Sequence, residues 1–203
     1  MKAIITGGGT GGHIYPAISV GLKLKERGWD IIYVGSKEGL ENKIVPKNNI
    51  KLKNVEVAPL PRRISLNLIK AFYKSTKGYF QTKKIVEEVD PDIIFGTGGF
   101  VAGPVVLSAC REGIPGLIHE QNVYPGITNK LLAYSVDKVA LNYEEAVKYF
   151  SDRITNKFVV TGNPIREKIL QTKRKEGINN LKLKNSKNLS ILNLRLSLKK
   201  PLN

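Results

Sequence analysis

The stretch Thr6-Gly7-Gly8-Gly9-Thr10-Gly11-Gly12-His13 decides how the chain folds. A short apolar run, Ala3-Ile4-Ile5, lies ahead of it. Behind it Ile14, Ala17, Ile18, Gly21 and Leu22 recur on one helical face, with Lys23, Lys25 and Glu26 off that face. Pro16 falls in the first turn of that helix, where a missing N–H matters little, and Gly28 supplies a stop. The order is therefore buried strand, glycine turn, helix. Glycines let such a loop turn tightly and bring its backbone N–H groups against an anion. The helix start adds free donors and the positive end of its dipole, together about 0.3–2 kcal/mol for a bound anion. A phosphate or pyrophosphate is the expected guest. Gly7, Gly9 and Gly12 also fit the spacing G-x-G-x-x-G. A dinucleotide site wants an acid at the end of the second strand, however, and Val34-Gly35-Ser36 has none there. That argues against an NAD-dependent enzyme.

Working outward, apolar strands and helical patterns alternate. Strands are expected at Asp30–Val34, around Val55 and Val57, and at Asp92–Phe95, Gly116–His119, Val136–Leu141 and Phe158–Val160. Helices are expected at Ser65–Val89, with a bend at Gly78, and at Val101–Arg111, Ile127–Ala133 and Glu144–Phe150. Such alternation implies an α/β fold, a Rossmann-like doubly wound parallel sheet. In these sheets ligands bind beyond the carboxyl ends of the strands. Three further loops follow strands. Gly96-Thr97-Gly98-Gly99-Phe100 repeats the pattern of the first loop, and two such loops suit the two phosphates of one pyrophosphate. His119-Glu120-Gln121-Asn122 is poor packing material and suits hydrogen bonding to a sugar or peptide. Gly162-Asn163-Pro164-Ile165-Arg166 offers an arginine fork for a phosphate or carboxylate.

The composition limits the function classes. The chain has 203 residues, 41% of them hydrophobic, which is enough for one good domain. Only three apolar residues follow Lys2, too few for a signal peptide, and no run approaches membrane-spanning length. The single cysteine, Cys110, reads as a small core residue in a reducing, cytoplasmic compartment. No His/Cys/Asp group has metal-ligand spacing, so neither metal nor cofactor is expected. The net charge of +16 sits mostly in two segments. Seven Lys/Arg and no acid occupy 62–84, and nine Lys/Arg against Glu176 alone occupy 171–203. The rest is nearly neutral, unlike the reading face of a nucleic-acid binder, and no nucleic-acid partner is expected. From Gln171 the chain is basic and Asn-rich like a linker, and Leu189–Leu198 can make one strand.

Gly-Gly-Thr-Gly-Gly-His at 8–13, Gly-Gly-Phe-Val-Ala-Gly-Pro at 98–104, His-Glu-Gln-Asn at 119–122 and Gly-Asn-Pro-Ile-Arg at 162–166 stand in order. Together they resemble the MurG family of peptidoglycan synthesis. The resemblance covers residues 1–170 and implies the N-terminal, acceptor-binding half of a GT-B glycosyltransferase. It implies transfer of GlcNAc from UDP-GlcNAc to the MurNAc 4-hydroxyl of lipid I, giving lipid II with inversion and without metal. The same resemblance implies roles for individual residues. Gly7, Gly8, Gly9, Gly96, Thr97, Gly98 and Gly99 look like an acceptor-pyrophosphate cradle, with Glu120 also on the acceptor side. Thr10, Gly11, Gly12, Asn122 and Arg166 match positions used toward UDP-GlcNAc, and His13 is the candidate base. A peripheral position on the cytoplasmic face of the cell membrane is implied too. Ile64, Leu68, Phe72 and Tyr79, among basic residues, are expected to meet an anionic membrane surface. Family members continue into a donor domain with a Gly-Gly-Ser-type loop, whereas 191–200 here contains no glycine. Residues 171–203 are thus expected to be a basic linker and an aberrant or truncated donor-domain start, leaving this chain inactive alone. A non-catalytic remnant that binds a polyprenyl-pyrophosphate sugar remains the alternative.

Overall fold

The computed structural model describes residues 1–59 and 66–166. Seven parallel strands run in the order β3-β2-β1-β4-β5-β6-β7. They are β1 (Lys2–Thr6), β2 (Asp30–Ser36), β3 (Lys51–Val55), β4 (Ile93–Gly96), β5 (Gly116–Glu120), β6 (Lys138–Leu141) and β7 (Phe158–Val160). Among the described residues, five α-helices lie between them: α1 (Gly11–Glu26), α2 (Glu41–Ile44), α3 (Leu66–Val89), α4 (Ala102–Arg111) and α5 (Ile127–Leu132). The expected α/β class and doubly wound sheet are those observed. The strand order reverses direction between β1 and β4, and that switch point is where the two glycine loops emerge. Thr6 and Gly96 are register partners, so both loops leave the sheet from one rung.

Continuous apolar strands need cover on both faces. Two buried clusters supply it. One packs Ile85, Val86 and Val89 of α3, Val105 and Val106 of α4, and Leu132 of α5 over Ile4, Ile94 and Ile118 of the sheet. The other packs Ile14, Ala17 and Ile18 of α1 over Ala3, Ile5 and Tyr33. Fully buried side chains of this size contribute about 1.5–3 kcal/mol each. Cys110 sits half-buried beside the first cluster, and burial pushes its thiol up to about 11, so it is an inert packing group.

Some boundaries differ from expectation. β3 ends at Val55 because the Glu56 N–H turns to the Gln81 side-chain carbonyl, 2.7 Å away. Glu144–Tyr149 is 3-10 rather than α-helical, the usual form of a short connector. A single α3 runs through Gly78, whose role is close approach: a Cβ there would lie 2.6 Å from the Glu56 carbonyl oxygen. Of the apolar stripe expected on α3, Phe72 is exposed, and the Leu68 side chain lies outside the described ones. Tyr79 is half-buried, and the exposed face carries Ile69, Phe72, Tyr73 and Phe80. Ile64 and the linker and donor-domain start expected at 171–203 lie outside the described residues.

Candidate functional site

Parallel strands place the loops after β1, β4, β5 and β7 on one edge of the sheet. The first loop has an inner and an outer half. Gly7 and Gly8 are buried. The Tyr33 hydroxyl donates to the Gly7 carbonyl from below, and burial, with the nearby Glu41 carboxylate, holds that phenol far above its ordinary range. Glu41 lies under Gly8, fully buried, accepting from the Ser36 N–H at 2.8 Å and the Ser36 hydroxyl at 2.6 Å. Thr10 and Gly12 are exposed, and Gly9 and Gly11 half-exposed. Thr10 is the N-cap of α1 but its hydroxyl makes no capping bond, so it stays available to a ligand. The first N–H groups of α1 have no intrahelical acceptor either.

The second loop, expected to share one pyrophosphate with the first, packs against it, and of residues 96–99 Gly99 alone is partly exposed. Gly96, Thr97 and Gly98 are buried. Thr97 donates its hydroxyl to the His13 carbonyl at 2.7 Å, and its N–H to the Thr6 carbonyl at 3.0 Å. The loops pack backbone on backbone: a Cβ at Gly99 would sit 2.1 Å from the Gly8 oxygen, and one at Gly7 would sit 2.0 Å from Thr97 Oγ1. Gly7 and Gly99 make this approach possible, while Gly96 and Gly98 are buried and face the protein rather than solvent.

Above Thr97 stands His13, half-buried. Its Nδ1 is 2.8 Å from the Thr97 carbonyl and 3.2 Å from Gln121 Oε1. Both neighbours are acceptors, so Nδ1 carries the proton and Nε2 keeps its lone pair. Among the described residues Nε2 has no hydrogen-bond partner. Gly98, at φ +95°, lies against the Nδ1–Cε1 edge, where a Cβ would come within 3.2 Å of the ring. A side chain at 98 would be strained at this φ and would crowd the imidazole.

Glu120 takes a different place from the expected acceptor contact. It is 1% exposed and turned inward. Oε1 accepts from the Asn122 N–H at 2.9 Å and Asn122 Nδ2 at 3.0 Å. Oε2 accepts from the Gly126 N–H at 3.1 Å and Asn129 Nδ2 at 2.8 Å. With both oxygens engaged by its own loop, Glu120 holds the loop's shape. Asn122 is thereby fixed at the surface. Arg166 lies over the Tyr15 ring, 4.4 Å from its centroid. Tyr15 in turn packs beside Gly11, so the stack stands next to the start of α1. Stacking uses none of the guanidinium N–H donors. Among the described residues no group of His, Cys, Asp and Glu can hold a metal ion.

The structure thus brings Thr10, Gly11, Gly12, His13, Asn122 and Arg166 to one sheet edge and puts Gly7, Gly8, Gly96, Thr97, Gly98 and Glu120 behind them. Sequence reasoning passed over Gln121, His119 and Asn129 as individuals. Gln121 and His119 were visible only as members of the His-Glu-Gln-Asn run. Asn129 gave one signal, an amide inside an apolar helical pattern; it is 1% exposed.

A seven-stranded parallel sheet with glycine loops at its switch point defines a Rossmann-like α/β domain. The chain belongs to glycosyltransferase family 28: the model of that family's N-terminal domain matches residues 3–141. A relative from Halothermothrix orenii is named UDP-N-acetylglucosamine–N-acetylmuramyl-(pentapeptide) pyrophosphoryl-undecaprenol N-acetylglucosamine transferase. It is 48% identical over 187 residues, covering 92% of this chain and 50% of that protein. A Clostridioides difficile relative of the same name is 43% identical, covering 93% of this chain and 47% of its own. The crystal structure of Acinetobacter baumannii MurG superposes with a TM-score of 0.67 at 29% identity, over 84% of this chain and 47% of that one. A UDP-GlcNAc 2-epimerase from Neisseria meningitidis shares the fold, with a TM-score of 0.64 at 18% identity, over 89% of this chain and 54% of its own. The chain spans about half the length of the curated relatives it matches. Its fold is that of the N-terminal half of a GT-B glycosyltransferase.

Proposed function

We propose that this chain is the acceptor-binding half of a transferase that moves GlcNAc from UDP-GlcNAc to the MurNAc 4-hydroxyl of lipid I, giving lipid II. One observation supports it above the rest: a histidine anchored through Nδ1, with Nε2 free, beside an outward-facing glycine loop. In this reading the outer half of the first loop, Gly9 to Gly12, meets pyrophosphate oxygens through its N–H groups. The inner half and the loop at 96–99 hold it in shape. His13 Nε2 takes the proton from the MurNAc O4. O4 attacks the anomeric carbon of GlcNAc from the side opposite the phosphate, the C1–O bond to UDP breaks, and inversion follows. Asn122, Thr10 and Arg166 contact the sugar nucleotide from this side, Arg166 with the N–H fork that its stack on Tyr15 leaves free. Residues 1–170 serve as the acceptor domain, and 171–203 as linker and donor-side start.

The acceptor's polyprenyl tail requires a membrane nearby. No helix among the described residues is long and apolar enough to cross one. The exposed Ile69, Phe72, Tyr73 and Phe80 on α3, with Lys70, Lys74 and Lys77, suit peripheral binding to the anionic cytoplasmic leaflet.

Rejoining 1–170 to the donor half of the Halothermothrix orenii relative tests the reading. We expect lipid II from the joined enzyme, and turnover lower by about 10²–10⁴ in His13→Ala, with lipid I binding retained. Unchanged turnover with weakened binding would make His13 a loop-holding residue instead. For residues 1–203 alone we expect no disaccharide above background, since transfer needs donor and acceptor held together.

A further inference from the structure

Resting on the reading of His13 as the base, we infer that Gln121 is the positioning residue that keeps the His13 imidazole in the form able to accept a proton at Nε2. The relevant contacts join all four loops. Gln121 Nε2 lies 3.0 Å from the Thr97 carbonyl and 3.1 Å from the His119 carbonyl. Two carbonyl oxygens at that range can only face an NH₂ group, because the flipped amide would set oxygen against oxygen. The orientation of Gln121 is therefore fixed by the backbone, and its Oε1 is left facing His13 Nδ1 at 3.2 Å.

His119 adds a second constraint of the same sign. Its Nε2 is 2.9 Å from the Gly162 carbonyl, so that nitrogen carries the proton. Its Nδ1 is then an acceptor, and it faces Gln121 Nε2 at 3.2 Å. Burial holds the His119 pKa down, against the opposing pull of Gly162 and Glu120, which keeps that ring neutral. Gly162 in the fourth loop thus sets His119 in the third. His119 and two carbonyls set Gln121, and Gln121 with Thr97 sets His13 in the first. The favoured form at His13 is Nδ1–H, the less common tautomer of a free imidazole. The same contacts make the ring's free lone pair Nε2.

The test is nitrogen-15 NMR on the 203-residue chain, whose two histidines are His13 and His119. Long-range couplings read the protonated nitrogen of each ring directly. We expect His13 to hold Nδ1–H over Nε2–H by about tenfold, the effect of roughly one hydrogen bond. Gln121→Leu should reduce that excess severalfold while the backbone amide spectrum of the sheet stays in place. Gln121→Met keeps the length of the side chain, loses both hydrogen-bonding groups, and should give the same result where leucine's branched end unsettles the loop. A residue that only packs the loop would leave the tautomer ratio alone. His13 found as Nε2–H in the unmodified chain, or an unchanged ratio in both variants, overturns the inference. No substrate enters the measurement, so a failure to bind lipid I would overturn the proposed function without touching this result, and the reverse holds too.

Discussion

Gly99 has φ +82°, and a Cβ there would stand 2.1 Å from the backbone oxygen of Gly8. Gly99→Ala therefore meets both a strained backbone and a backbone clash that no side chain can relieve, and we expect at least about 1–3 kcal/mol of lost stability in urea titration. Gly12→Ala is the control: its nearest atom is the Thr10 hydroxyl at 3.6 Å, so it should fold normally. Glu120 makes a second prediction. Its oxygens accept only from donors, so the NH₂ of Glu120→Gln must face an N–H or an amide donor. We expect a loss of about 1–3 kcal/mol. His119 makes a third, in pH. Its folded pKa is held below the ordinary 6.5, mainly by burial, so the unfolded chain takes up the proton first. Its contribution is fully present above about 6.5 and is lost as pH falls below that value toward the folded pKa. A urea midpoint that drops on acidification through this window in the native chain, and drops less in His119→Asn, is the expected pattern.

At the scale of elements, α3 carries the membrane prediction. Ala71, Gly78 and Thr82 are on the buried side, and Ile69, Phe72, Tyr73 and Phe80 on the exposed side. Phe72 belongs to the stripe expected from sequence, but period alone does not say which face meets the sheet. Gly78 does, since only a glycine allows the helix so near the Glu56 carbonyl. Phe72→Ser with Phe80→Ser should weaken flotation with anionic vesicles. Each nearby lysine adds about 1 kcal/mol on an anionic surface. Equal flotation with neutral and anionic vesicles at low salt would remove the membrane role from α3. The strands and the glycine loops were legible because each is a local pattern: an apolar run, then turn chemistry, then helix period. The second loop's position under the first was not legible. Gly8–Gly9 and Gly98–Gly99 look alike in sequence, and only the parallel pairing of Thr6 with Gly96 sets one on the other. The inward turn of Glu120 was equally hidden, since two of its four donors come from Gly126 and Asn129, outside the motif.

At the scale of the whole molecule, one physical theme joins these parts. Much of the hydrogen-bonding capacity near the switch point is spent inward, on the loops themselves, whereas Gly9–Gly12, the His13 Nε2 edge and the Arg166 fork are left for a ligand. Glu56, across the sheet edge, shows the contrasting surface case: Lys37 and Lys77 bond to its carboxylate and hold its pKa down at about 2, with no ligand role assigned. The chain also matches only the N-terminal half of its relatives, so binding, rather than turnover, is the property to measure in it directly. The decisive experiment is a titration of the 203-residue chain with a soluble, short-chain lipid I analogue, followed by amide and histidine NMR. The acceptor reading predicts saturable shifts at Gly9, Thr10, Gly11, Gly12 and His13, reproduced in part by inorganic pyrophosphate. Saturable binding that leaves those five residues unmoved, or no binding at analogue concentrations that saturate the rejoined two-domain enzyme, would contradict it.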